Sequence, residues 1–360
     1  MGTVFAELHS VIPHGNVLFL SGWFFDIQRT EFKLQFVIRK VRGLWLPYVK
    51  WMMVFILLHN VFCGLHCYGA FRGGSIPGVH AVTEIVFNLI RALTFQGENQ
   101  LLGGFWFIPV LFYAAILSLF AIWFVKRICK TVLSRYCLLQ ANIVYIAVII
   151  GFIIVAMLML IVHKGIPMFI LPNIGCKTML ACASFVSGAL VKITKRPTWI
   201  KPLPFVIVVT LLLFVSSNTR LASVSILKSP LDAPYALFMG VLGGISWMIV
   251  SRWLFNALNK FHLNCLSSLI LYIGRNTLVI LALHFLCFKF INLFKVWWYV
   301  LDIEQVGSFP ILVDGDLSCN GIGWVLLYVL AGVMIPITLA YGKDVFARFI
   351  LRRTMERNVV

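Results

Sequence analysis

Residues 138–162 read LLQANIVYIAVIIGFIIVAMLMLIV, 25 positions without a charged side chain. The hydrocarbon core of a bilayer takes roughly 20 apolar residues of α-helix to cross, so this segment makes the chain a membrane protein. Before it, the gap 126–136 holds four basic residues, Lys126, Arg127, Lys130 and Arg135; just after it stands Lys164 alone. That imbalance repeats outward in both directions. The gaps 28–43, 126–136, 191–201, 251–263 and 342–360 hold 5, 4, 4, 2 and 5 Lys and Arg, 20 in all. The gaps between them hold six (Arg72, Arg91, Lys164, Arg220, Lys228, Lys295), and Lys50, Lys177, Arg275 and Lys289 lie in or beside apolar segments. Lys and Arg collect on the cytosolic side of membrane proteins, which makes the first set of gaps cytosolic and the second external.

The same length rule marks nine apolar segments: 11–25 (short), 44–65, 105–125, 138–162, 168–191, 203–215, 235–250, 276–294 and 322–341. The expected fold is an all-α polytopic membrane protein, one transmembrane domain over 1–360, with 69–104 an external loop and 342–360 a basic cytosolic tail. Composition agrees, since 61% hydrophobic residues and a mean hydropathy of +0.97 leave no polar surface for a soluble domain. The net charge of +18 is then the sum of cytosolic loops facing anionic lipid headgroups and not a nucleic-acid footprint. Nine cysteines include no C-x-x-C pair, so neither a disulfide framework nor a zinc site has support, and Cys63 and Cys67, one helical turn apart, read as packing residues. Residues 1–10 lack the basic start of a cleavable signal peptide and carry Glu7. Nine spans and a cytosolic C-terminus put Met1 outside; either a further helix precedes it or the N-terminus is external.

The longest external gap places Val82, Ile85, Val86, Leu89, Ile90 and Leu93 at the i, i+3, i+4, i+7 spacing of an amphipathic helix, with Thr83, Glu84, Asn88 and Arg91 on the other side. Such a helix lies at the outer interface or caps the bundle.

An ionisable group at membrane depth is costly and marks function by default. All twelve acidic residues fall in loops or at span ends, which argues against an ion-coupled transporter. Within the spans stand His59, Lys177, His284 and Lys289, with His14 near the outer end of the first. Three stretches add to these: VLFLSGWFF at 17–25 followed by RKVRGLWLPY at 39–48, GFWFIPVLF at 104–112, and IGRNTLVILALHF at 273–285.

In this order and at these distances, the three resemble acyltransferase family 3, polytopic membrane O-acyltransferases that acetylate sugars of surface polysaccharides, lipopolysaccharide and related glycans. The family's Phe-Phe-Ser-Gly-aromatic stretch corresponds to Phe19–Phe25, and its Arg-x-x-Arg before Pro-Tyr to Arg39 and Arg42 before Pro47-Tyr48. Its Trp-Phe-Leu-Pro corresponds to Trp106–Pro109 with Ile108 for Leu. Its Gly-Lys-x-Ser helix ending in His corresponds to Gly274–His284, with Arg275 for Lys and Thr277 for Ser. Family members open with a charged helix carrying the histidine thought to be catalytic, which 1–12 does not contain; the resemblance implies a ten-helix plan whose first helix lies upstream, and a 360-residue form of little activity.

The resemblance implies transfer of an acyl group, acetyl foremost, from cytosolic acetyl-CoA to a glycan or lipid-linked sugar hydroxyl, with no metal, in the cytoplasmic membrane of a bacterium. Arg39 and Arg42 would hold the donor's phosphates as guanidinium forks, or serve only as topogenic charges. His14 and His284 are the two candidates for the base, with hydrogen-bonded packing the alternative for each. Ser21, Trp106 and Asn276 would line the acceptor's path. A flippase of lipid-linked glycans would share the bundle and basic loops but has no use for a thioester, and an inactive remnant of an acyltransferase is the third reading. The oligomeric state has no sequence signal.

The charge asymmetry sets a topology test. Cysteine labelling from outside is expected to reach a probe in 302–320 and not one in 192–201; the opposite pattern overturns the orientation.

Overall fold

The computed structural model describes residues 13–25, 34–70, 75–132, 139–162, 175–194, 202–219, 227, 229–309, 311–313 and 321–357. Among these there is no strand. The helices are α1 (Pro13–Phe24), α2 (Leu34–Lys40), α3 (Leu46–Leu57), α4 (His59–Gly64), α5 (Val82–Leu93), α6 (Phe107–Val132), α7 (Leu139–Val162), α8 (Cys176–Thr194), α9 (Pro202–Thr219), α10 (Asp232–Lys260), α11 (Asn264–Arg275), α12 (Thr277–Trp298) and α13 (Ile322–Arg357). Prolines open several of them: Pro13, Pro47, Pro109, Pro202 and Pro234 stand in first turns, where the missing N–H has no partner to lose.

Among the described residues six helical stretches are long and apolar enough to cross a membrane: Gln100–Ile128, Asn142–Val162, Cys176–Thr194, Asp232–Lys260, Thr277–Trp298 and Ile322–Phe349. The chain is a multi-pass membrane protein by this measure. Of the nine apolar segments in the sequence, three form shorter helices. Segment 11–25 yields the 12-residue α1, and 203–215 falls in the shorter apolar stretch Pro202–Val215. Segment 44–65 is divided, because a π-helical turn at Val41–Trp45 precedes α3 and non-helical Leu58 separates α3 from α4. Two elements run against the sequence pattern. Residues 264–275, which carry no full-length apolar run, form α11, and α13 continues through the basic 342–357, where no proline stands.

By their contacts the residues form two compact units, 1–46 with 106–262 and 47–105 with 263–360. In the first, α8 is the central helix. Two thirds (67%) of its apolar window is buried, against 22% for α7, and every residue from Thr178 to Ala189 is buried. It packs against α1, α6, α7 and α10. Lipid offers helices no hydrophobic gain for association, so close backbone approach through small residues supplies the contact. A Cβ built on Gly22 of α1 would overlap the Phe185 carbonyl of α8, and one on Gly188 of α8 would overlap the Phe19 carbonyl of α1. Gly243 and Gly244 of α10 receive Asn16 and the ring of Phe19 in the same way. The Ser-Gly of the first stretch is thus a helix-crossing point.

In the second unit, α12 packs on α13 and on a 3-10 turn, Ile303–Gly307. One face of α12 carries Lys289, Asn292 and Lys295, all buried. Lys289 Nζ donates to the carbonyls of Gly307 (3.1 Å) and Ser308 (2.6 Å), and Lys295 Nζ to that of Leu312 (2.8 Å). Asn292 Nδ2 donates to Val306 O at 2.9 Å, while its Oδ1 accepts from Leu312 N and from the Tyr328 hydroxyl of α13. Aromatic rings complete the lysines' surroundings, Phe309 for Lys289 and Trp324 and Tyr328 for Lys295. Helix α5 leaves Val82, Val86, Ile90 and Leu93 exposed. Pro336 lies inside α13.

The glycine crossings set a stability test. Gly22→Ala or Gly188→Ala overpacks a backbone contact and is expected to destabilise the detergent-solubilised protein by about 1–3 kcal/mol. Gly151→Ala on α7, with nothing within 4 Å of the added carbon, should leave the melting temperature unchanged. Equal melting of all three would show that the helices re-space freely.

Candidate active site

His284 sits two turns into α12, half-buried between Phe285 (ring centroids 4.0 Å apart) and Phe288 (5.6 Å). Its Nδ1 lies 3.1 Å from the carbonyl oxygen of Ile280 and 2.9 Å from that of Leu281. Carbonyl oxygens only accept, so Nδ1 bears the proton and, in the neutral ring, the basic lone pair belongs to Nε2. A helical backbone therefore fixes the tautomer that proton abstraction at Nε2 requires. A Cβ built on Gly104 would lie 2.8 Å from Leu281 Cδ1 and 3.3 Å from His284 Cε1, and one on Gly332 of α13 3.5 Å from His284 Cβ. The second and third sequence stretches meet here, glycine against histidine.

The segment bearing Gly104, a 3-10 turn at Gln100–Trp106, is held at its other end by polar contacts. Gln100 clamps Gly69 at two points, accepting from its N–H (3.0 Å) and donating to its carbonyl (2.7 Å). Asn99 donates to the Tyr68 hydroxyl at 3.1 Å. His59 Nε2 faces the Gly78 carbonyl at 3.0 Å and so bears the proton; Nδ1 then accepts from the Tyr68 hydroxyl at 3.1 Å. Burial raises the Tyr68 pKa further above the usual phenol value, which keeps it the donor this chain needs. Sequence reasoning noted His59 as ionisable at depth and missed Tyr68, Asn99 and Gln100, loop residues with no spacing to betray them. Gly69 also meets Gly307, since a Cβ on either would overlap the other loop's backbone. Phe309, just beyond, packs on Phe285 at 4.9 Å.

The remaining predicted residues lie apart from His284 in kind. Arg39 stands in the last turn of α2 and Arg42 in the π-turn; both are exposed. Lys40 between them points inward, its ammonium 5.3 Å from the Phe25 ring and 5.6 Å from Phe36, and burial, then the Arg39 charge, lowers its pKa. The two halves of the first stretch are thereby joined, Phe25 to Lys40. Ser21 donates to Val17 O at 2.7 Å, within its own helix. Asn276 is the break between α11 and α12 and donates to Tyr272 O at 3.0 Å. Trp106, expected to line the acceptor's path, is 36% exposed, and the Lys177 ammonium lies 5.7 Å from its ring. His14 lies in the first turn of α1; its side chain falls outside the described residues. Among the described residues no group of three His, Cys, Asp or Glu is placed to hold a metal ion.

The acyltransferase domain of family 3 matches residues 18–341, from α1 into α13, and takes in the second and third stretches whole and the first from Leu18 onward. No curated protein and no solved structure matches the chain. A match over most of the chain's length makes the protein a member of acyltransferase family 3, and an acyltransferase.

Proposed function

We propose that the protein transfers an acyl group, acetyl in the simplest case, from cytosolic acetyl-CoA to a hydroxyl of a cell-surface or lipid-linked glycan, in the cytoplasmic membrane of a bacterium with Met1 outside and Val360 inside. The observation that supports this most is His284, whose Nδ1–H is tied to two carbonyls and whose Nε2 is the ring's base. At Nε2 it takes the acceptor hydroxyl's proton as that oxygen attacks the thioester carbonyl; the carbon–sulfur bond breaks and the thiolate leaves, to be protonated in turn. Arg39 and Arg42, exposed and without a carboxylate partner among the described residues, suit the donor's phosphates. Ser21 and Asn276 each donate to the carbonyl four residues earlier, which leaves the hydroxyl or amide oxygen of each able to accept from a hydroxyl.

Two measurements test the roles. His284→Gln is expected to lower glycan acylation by about 10²–10⁴-fold, and Gly104→Ala, which pushes on the ring, by less, both at normal protein level in the membrane; full activity of H284Q removes the histidine from the chemistry. Replacing Arg39 and Arg42 together by Lys keeps the charge but loses the planar grip. The expected outcome is a raised apparent KM for acetyl-CoA with topology intact, and an unchanged KM would make both residues topogenic only.

A further inference from the structure

His80, Thr83, Glu84, Phe87 and Asn88 line a shallow, open surface groove of about 390 Å³. Its walls are set by a small group of polar and ring contacts. Asn60 holds the His80 backbone at both ends, accepting from its N–H at 2.9 Å and donating to its carbonyl at 3.0 Å. The His80 ring stacks on His59, centroids 3.8 Å apart and planes at 17°, and so rests on the Tyr68–Asn99 chain behind it. Asn88 Nδ2 approaches His80 Nδ1 at 3.5 Å, which leaves the neutral ring's proton on Nε2. Glu84 uses one oxygen, Oε2, to accept from Ala81 N at 3.0 Å, a contact that fixes the carboxylate at the start of α5. Phe87 is 60% exposed, with the Arg91 guanidinium 5.7 Å from its ring.

Donors (the His80 ring, Asn88, Thr83), acceptors (Glu84, Thr83, Asn88) and an aromatic ring thus surround one small volume. A hydrocarbon would leave these polar groups unmatched, and an anion would face Glu84. A sugar ring matches all three, since its hydroxyls both donate and accept while its C–H face packs on an aromatic. We infer that this pocket is a saccharide subsite, holding one unit of the glycan whose hydroxyl is acylated; the inference rests on the acyltransferase reading above. The exposed apolar side of α5, opposite the pocket, would lie on the lipid surface and present the polar side to the acceptor.

The test uses the full chain in nanodiscs and two readouts. Saturation-transfer NMR with methyl glycosides of glucose, galactose, rhamnose and N-acetylglucosamine is expected to show transfer to ring protons of at least one, lost in Phe87→Ala and Glu84→Gln and kept in Val82→Ala on the opposite side of α5. In acylation assays, F87A and E84Q should raise the acceptor KM about tenfold or more with the acetyl-CoA KM unchanged and kcat within about twofold. Glycoside binding without acylation by the parent would sustain the subsite and overturn the acyltransferase assignment of substrate. Acylation with an acceptor KM insensitive to both variants would overturn the subsite alone, and the absence of both binding and acylation would overturn both.

Discussion

Carbonyl groups of buried non-helical backbone must find donors, because neither lipid nor a dry interior supplies water to them. In the second unit one face of α12 meets that demand. Lys289, Asn292 and Lys295, spaced three residues apart, bind the carbonyls of Val306, Gly307, Ser308 and Leu312, and Tyr328 closes the set through Asn292. Everything near His284 hangs on this arrangement. The pinned loop brings Phe309 onto Phe285 and Gly307 onto the backbone beside Tyr68. From there Gln100 and Asn99 tie down the turn that carries Gly104, which rests against the histidine. Two buried ammonium groups are tolerated because each has carbonyl and aromatic partners in place of the carboxylates the sequence lacks at depth.

The first unit is built on a different economy of contact. Glycine and alanine along α8 let neighbouring backbones touch, so the helix is buried by geometry more than by hydrophobicity. Phe19 fills the crossing of α1 with α8 and α10, and Phe25 carries the aromatic surface onward to Lys40. The basic segment that holds Arg39 and Arg42 is therefore anchored through the one member of its cluster that turns inward.

Much of this was legible in the sequence, and the reasons for success and failure differ by residue. The run at 138–162 is apolar on every side and long, so a transmembrane helix was its only economical reading. The helix at Val82–Leu93 showed itself by period, and the three stretches around Gly22, Gly104 and His284 by order and distance. Segment 44–65 looked equally continuous, yet it is divided at Leu58, beside a histidine whose ring is bonded to Tyr68 and Gly78. Such long-range polar contacts leave no trace in hydropathy. Lys289 stood out in the sequence by membrane depth alone, and its partners, the carbonyls of Gly307 and Ser308, could not be read there. The protonated nitrogen of His284 was invisible for a simpler reason, since a ring's orientation is a matter of rotamer and not of spacing.

Pro336 stands four residues after Gly332 in α13. Having no N–H, it leaves the Gly332 carbonyl without the donor that a regular helix would supply, and its ring crowds that same carbonyl. Gly332 is also where α13 meets Phe288 and His284. The helix is thus weakest at the level of the histidine, and a bend there changes the packing of Gly332 on Phe288 and on the Cβ of His284. His284 is therefore held on α12 by regular helix and met on α13 by a turn that has lost a hydrogen bond.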